Sequence, residues 1–137
     1  MRICFMQKNI FRVLSLVLLL AVPFVQPAYA NHEGTYIVGE VKEIEGAPGC
    51  IEKGDMVMVF NRLPDTKEMV QVFQRLRSEK KCGLFVGTAK IIGQIGNDVR
   101  DNEDTPWRIV HIQYLLNNVP TESYLLTWGT ETSVTKK

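Results

Sequence analysis

Apolar positions along this chain follow two regimes. Over residues 1–30 they are massed into one block. From residue 31 onward they come in short runs punctuated by glycine, proline and charge. In the second regime residues 36–44 (Tyr-Ile-Val-Gly-Glu-Val-Lys-Glu-Ile) are rich in β-branched side chains and predict a strand, with Gly39 able to bend it or admit a bulge. Residues 46–49 and 52–55 carry turn composition. Between them and the next turn, residues 56–60 (Met-Val-Met-Val-Phe) are apolar on both parities, which predicts a second strand covered on both sides.

The next pattern has helical period. Met69, Val72, Phe73 and Leu76 share one face, while Gln71, Gln74, Arg75 and Ser78 point elsewhere. Asp65 followed by Glu68 predicts an N-terminal capping box, and Gly83 predicts the left-handed residue that stops the helix. Residues 84–95 then read as one curved strand or two, with bends at Gly87 and Gly93. Residues 96–106 read as a polar, acidic loop. A strand is expected over 107–116, with Arg108, Val110, Ile112, Tyr114 and Leu116 on one parity and Ile109, His111 and Gln113 on a mixed face. A turn at 117–120, a short strand at 124–128 and a tail loose in its last few residues complete the chain.

The expected fold class is therefore α+β: a curved antiparallel sheet or small, partly open β-barrel with one packed helix, in the order β-β-α-β-β-β. An oligonucleotide-binding-type barrel is a variant of this reading. That fold places its helix after the third strand, whereas here it follows the second unless the first strand bends enough to count twice.

The first regime changes the picture of where the chain works. Arg2, Lys8 and Arg12 precede an apolar stretch, and Ala28-Tyr29-Ala30 closes it with small-x-small spacing. This is the pattern of a cleaved signal peptide. The stretch from 13 to 25 is 13 residues long, short of the roughly 20 a membrane-crossing helix needs. Residues 1–30 are thus expected to be removed near Ala30, leaving 31–137 as one small domain in the periplasm or secreted fraction, without a retained transmembrane segment. The whole chain is formally +1. Without 1–30, thirteen Lys and Arg face fifteen Asp and Glu, a formal −2. Nucleic-acid binding, which draws on concentrated positive charge, is disfavoured.

Cleavage discards Cys4 and leaves Cys50 and Cys82. Two thiols in an oxidising compartment and a small domain predict a disulfide. Free thiols, a metal site and a nucleophilic cysteine are the alternatives, and there is no Cys-x-x-Cys pair.

No catalytic grouping stands out. Asp98, Asp101, Glu103 and Asp104 form the densest acidic cluster, and Asp98 and Asp101 can be considered for a cation. Arg100 sits among them, however, and the spacing is not that of an EF-hand. His111 has no adjacent serine or cysteine, and neither Ser78 nor Ser123 has the context of a nucleophile elbow. No phosphate-cradling or dinucleotide motif is present, so no cofactor is expected. Arg75, Arg77, Lys80 and Lys81 make a basic helix end. Trp107 and Trp128 are expected to meet if the last two strands pair.

The leading expectation is a non-enzymatic interaction or adaptor module that meets another envelope or secreted protein, or a small ligand or glycan. Its contact residues would come from Asp98, Asp101, Glu103, Asp104, Trp107, Arg75, Arg77, Lys80 and Lys81. An inhibitor or immunity protein presenting loop 97–105 is the second reading, and a small hydrolase the third.

Overall fold

The computed structural model describes residues 35–130 and 132–136. The expected signal peptide 1–30 and its cleavage point lie outside these residues. The elements are β1 (Thr35–Ile37), β2 (Val41–Cys50), α1 (Lys53–Phe60), α2 (Thr66–Ser78), β3 (Cys82–Arg100), β4 (Pro106–Leu116), β5 (Val119–Trp128) and β6 (Ser133–Thr135). The fold is α+β. Strands β2 to β5 form a curved antiparallel meander in which each strand pairs with the next. The sheet returns on itself through a seam of two residue pairs, Gly49↔Leu125 and Cys50↔Tyr124, and is open elsewhere along that side. This meander is not the Greek key of an oligonucleotide-binding-type barrel.

Around residues 108–110 both faces of β4 are buried, which is why it carries apolar residues on both parities there. Val110, Ile112, Ile44, Ile91 and Leu125 point inward around the buried ring of Tyr36. Ile109 and Leu126 point outward and are covered by the helices. Among the described residues no helix is long and apolar enough to cross a membrane.

Residues 56–60 are helical, so the expected second strand is corrected to α1 and there are two helices rather than one. A short run that is apolar on both parities satisfies either period. Here Met56, Val59 and Phe60 are buried at helical spacing while Met58 is exposed. The strand lost there is recovered upstream: residues 46–49, expected as a turn, are the end of β2. A register shift between Glu45 and Ala47 absorbs Gly46. Gly49 is needed at the seam, because a Cβ there would lie 2.8 Å from a Leu125 methyl carbon.

α2 matches its predicted stripe, with Met69, Val72, Phe73 and Leu76 all buried. Asp65 caps it by accepting from the Glu68 N–H at 3.0 Å. The reciprocal half of the expected box is absent, since the Glu68 carboxylate instead accepts from Arg62 at 3.3 Å. The expected stop at Gly83 is also corrected. Lys80 takes the left-handed conformation with φ 62°, and Gly83 lies in β3. The N–H of Lys81 reaches the Leu76 carbonyl and that of Lys80 the Arg77 carbonyl, a Schellman ending built without glycine. Asp65→Ala should cost about 1 kcal/mol of stability through the lost cap. A shift in the urea midpoint with unchanged slope would register it.

β3 is a single 19-residue strand. Its first half pairs with β2 and its second with β4, and register shifts after Ile91 and Ile95 bend it between the two. The loop expected over 96–106 shrinks accordingly, since β3 runs to Arg100 and β4 begins at Pro106. β5 starts at Val119, earlier than expected, because Asn117 and Asn118 both accept positive φ and make the two-residue hairpin turn alone. The tail is tied as well: β6 pairs in parallel with β1, with Thr35 opposite Ser133. Cys50 and Cys82 are in-register neighbours on β2 and β3 and form a disulfide.

Candidate interaction surface

The β4–β5 register sets Trp107 directly opposite Trp128. Their rings stack with centroids 4.7 Å apart and planes 29° apart. Asp101 holds this stack from the loop side. Its Oδ2 accepts from the Trp107 indole N–H at 2.8 Å, and its Oδ1 accepts the backbone N–H groups of Glu103 and Thr105. The hydrogen bond from Trp107, then that from the Thr105 backbone, hold the Asp101 carboxyl below its usual pKa. Arg100 closes the same turn by donating to the Asp104 carbonyl at 2.7 Å and pairing with its carboxylate at 3.5 Å. The acidic segment is therefore a built turn, with Glu103 and Asp104 on its exposed side.

Behind the stack lies a groove of about 220 Å³ between α2 and the outer sheet face. Trp107 and Trp128 form one wall, Met69, Val70 and Phe73 the other, and Arg77 supplies the cationic group. Of the residues expected at a partner surface, the fold thus brings Trp107 and Arg77 into one concavity, joined by Trp128. Asp98, Asp101, Glu103, Asp104, Arg75, Lys80 and Lys81 do not line it. Arg75 and Lys81 both pair with Glu79, and Arg75 also donates to the Met58 sulfur.

Asp98 belongs to a second feature that the sequence reading did not single out. Its carboxylate takes two bonds from Arg108, Nε at 3.2 Å and Nη2 at 3.1 Å, and a third from Gln94 at 2.7 Å. Arg108 is 3% exposed, and the signal for its burial was its parity, shared with Val110 and Ile112. Partial burial pushes the Asp98 pKa up, but the hydrogen bonds from Arg108 and Gln94 and the nearby positive charge outweigh it and hold the group below its usual value. Thr127 is the in-register partner of Arg108. The Tyr36 phenol is pushed up to about 12 by burial, against the opposing charge of Arg108. Among the described residues, the Arg108 Nη1, Tyr36 hydroxyl and Thr127 hydroxyl are buried without a hydrogen-bond partner. Asp98 thus accepts from Arg108 and Gln94, and Asp101 from Trp107, Glu103 and Thr105. Among the described residues no cluster of three His, Cys, Asp or Glu side chains can hold a metal ion.

The remaining polar candidates are engaged locally. His111 is hydrogen-bonded to Glu122 and stacked on Tyr124 with centroids 4.8 Å apart. Ser123 pairs with the Tyr114 hydroxyl, and Ser78 donates to the Arg75 carbonyl. No family model, curated protein or solved structure matches this chain.

Proposed function

We propose that this chain is an exported, non-enzymatic binding module, and that the groove beside the Trp107–Trp128 stack takes an apolar side chain of a protein partner. The observation that carries the reading is the convergence of two tryptophans, an apolar helix face and one arginine on a single concavity. Aromatic residues and arginine are the types in which interface binding energy concentrates. At about 220 Å³ the groove is smaller than pockets for drug-sized ligands, roughly 300–1,000 Å³, which favours one inserted side chain over a small organic ligand. Arg77 at the groove makes a carboxylate on the partner the complementary charge. Periplasmic or secreted location is part of this proposal and rests on the pattern of residues 1–30.

Trp107 is a poor place to test the reading by truncation, because its indole also anchors the Asp101 turn. Val70 is better, being exposed at the groove with half its surface in water. Val70→Arg is expected to leave folding unchanged and to weaken capture of the envelope partner at least tenfold, an effect of roughly 1.4 kcal/mol. Equal retention of the same partner by wild type and this variant, in quantitative pull-downs of the disulfide-bonded protein, refutes the groove.

The inhibitor reading retains one specific support, the hydrogen-bonded turn that displays Glu103 and Asp104. It predicts the reverse pattern, with Asp104→Ala losing the partner and Val70→Arg keeping it.

A further inference from the structure

Strand β3 changes neighbours midway. Residues 82–90 pair with β2, and the pairing with β4 begins only at Lys90↔Gln113. Below that point β3 and β4 part. Among the described residues, 83–89 therefore have a strand on one side and a notch on the other, whose far wall is the β4–β5 hairpin. Two cavities open along this notch. One, of about 530 Å³, lies between Thr88 and Lys90 on one wall and Leu115 and Pro120 on the other. The second, of about 230 Å³, continues to Gly83 and Lys80 at the start of β3.

Exposed sheet edges in soluble proteins are blunted by lysine, proline or inward-facing charge, because an open ladder recruits other strands. The edge segment 83–89, Gly-Leu-Phe-Val-Gly-Thr-Ala, has none of these. Its outward residues Leu84 and Val86 are 56% and 72% exposed, and Leu115 across the notch is 68% exposed. Among the described residues this is an apolar edge without such a guard, beside a slot on the outer side of the sheet.

We infer that the notch receives one extended peptide strand from another protein, added to β3 along residues 83–89. Such strand addition takes its affinity from main-chain hydrogen bonds and its selectivity from alternate side chains. On its inner side the notch is closed by Phe85 and Tyr114, whose rings meet edge-on with centroids 4.8 Å apart, so an added strand lies on the outer side of that contact. A second copy of this chain would have to bring β2 along with its own β3. The charged groups lining the cavities are Lys80 at one end and Lys90 at the other, with no acid between them. The complementary peptide is about seven residues long, apolar at alternate positions, with carboxylates near both ends. This goes beyond the groove, and its test does not depend on it.

The test is selection of a random ten-residue peptide display library on the disulfide-bonded protein, followed by resynthesis of the enriched sequences. Two N-methylated forms of each are made, one blocking odd and one blocking even backbone amides. Enriched peptides should alternate apolar and polar residues between acidic ends and slow amide hydrogen exchange in 83–89. They should lose roughly tenfold affinity in one N-methyl form but not the other, the signature of a one-edged ladder. Val86→Asp should lose a similar factor, while Val70→Arg binds the peptides normally and so separates this notch from the groove. The inference is overturned if no peptide is enriched, if both N-methyl forms bind, or if Val86→Asp binds unchanged. It is equally overturned if sedimentation shows a dimer that Val86→Asp dissociates, which would assign the edge to a second copy.

Discussion

Replacing Cys50 and Cys82 together by alanine is expected to lower the unfolding free energy by roughly 3–4 kcal/mol, the loop-closure entropy of a bridge of this span. The separation is 32 residues and encloses both helices. For a small domain whose total stability is of order 5–15 kcal/mol, that is a large fraction. The position adds a second effect. Cys50 is also one of the two β2 residues that pair with β5, so the bond pins the strand end on which ring closure depends. Hydrogen exchange in the double variant should therefore accelerate first at Tyr124 and Leu125, before the β4–β5 ladder opens. Urea titrations of the wild type with and without reductant, beside the double variant, measure the loss. Coincident midpoints would mean that the ring closes without the bond.

The second large effect is expected at Asp98. Arg108 is almost wholly buried, and Asp98 is the carboxylate that compensates its charge. Breaking a fully buried pair costs about 3–5 kcal/mol. Because the Asp98 side chain is 44% exposed, solvent screens the pair, and Asp98→Asn should cost about 1–3 kcal/mol. The sign with pH follows from the lowered pKa. A carboxyl held below its unfolded value contributes stability that is complete above that value, near 3.9, and disappears as pH falls through the folded one. Wild type should thus lose stability on acidification below about pH 4 more steeply than Asp98→Asn. Arg108→Met introduced into the Asp98→Asn protein should recover much of the loss, since it removes the uncompensated charge and the unpartnered Nη1 together. Identical acid profiles for wild type and Asp98→Asn, or a double variant no better than the single, would remove the pair from the stability of the fold.

Much of this architecture was legible before any coordinates. The Asp65 cap and the stripe of Met69, Val72, Phe73 and Leu76 specify α2 because cap chemistry and helical period agree. The Cys50–Cys82 bond followed from the cysteine count together with the export expected from residues 1–30, and the Trp107–Trp128 pair from the hairpin connecting their strands. The failures have physical causes. Residues 56–60 satisfy strand and helix patterns alike, and the cluster they join, with Met69, Phe73 and Leu126 among its members, is assembled from distant parts of the chain. Lys80 takes a conformation usually left to glycine, which no composition rule anticipates. Loop 97–105 looked like a string of free acids. Asp98 and Asp101 find donors on residues 94, 107 and 108, whose approach depends on the bend of β3. The groove combines α2 with two strands far along the chain, so its lining carries no local signature.

The parallel pairing of β1 with β6 has a consequence for how this chain matures. Tyr36, the aromatic ring at the centre of the sheet's concave side, rides on a three-residue strand whose sheet partner is Ser133–Thr135. Because β6 lies at the far end of the chain, β1 has no sheet partner until residues 133–135 are present. A product truncated at residue 130 would keep β2 to β5 and lose the strand that pairs with β1, so the seating of the Tyr36 ring is expected to loosen.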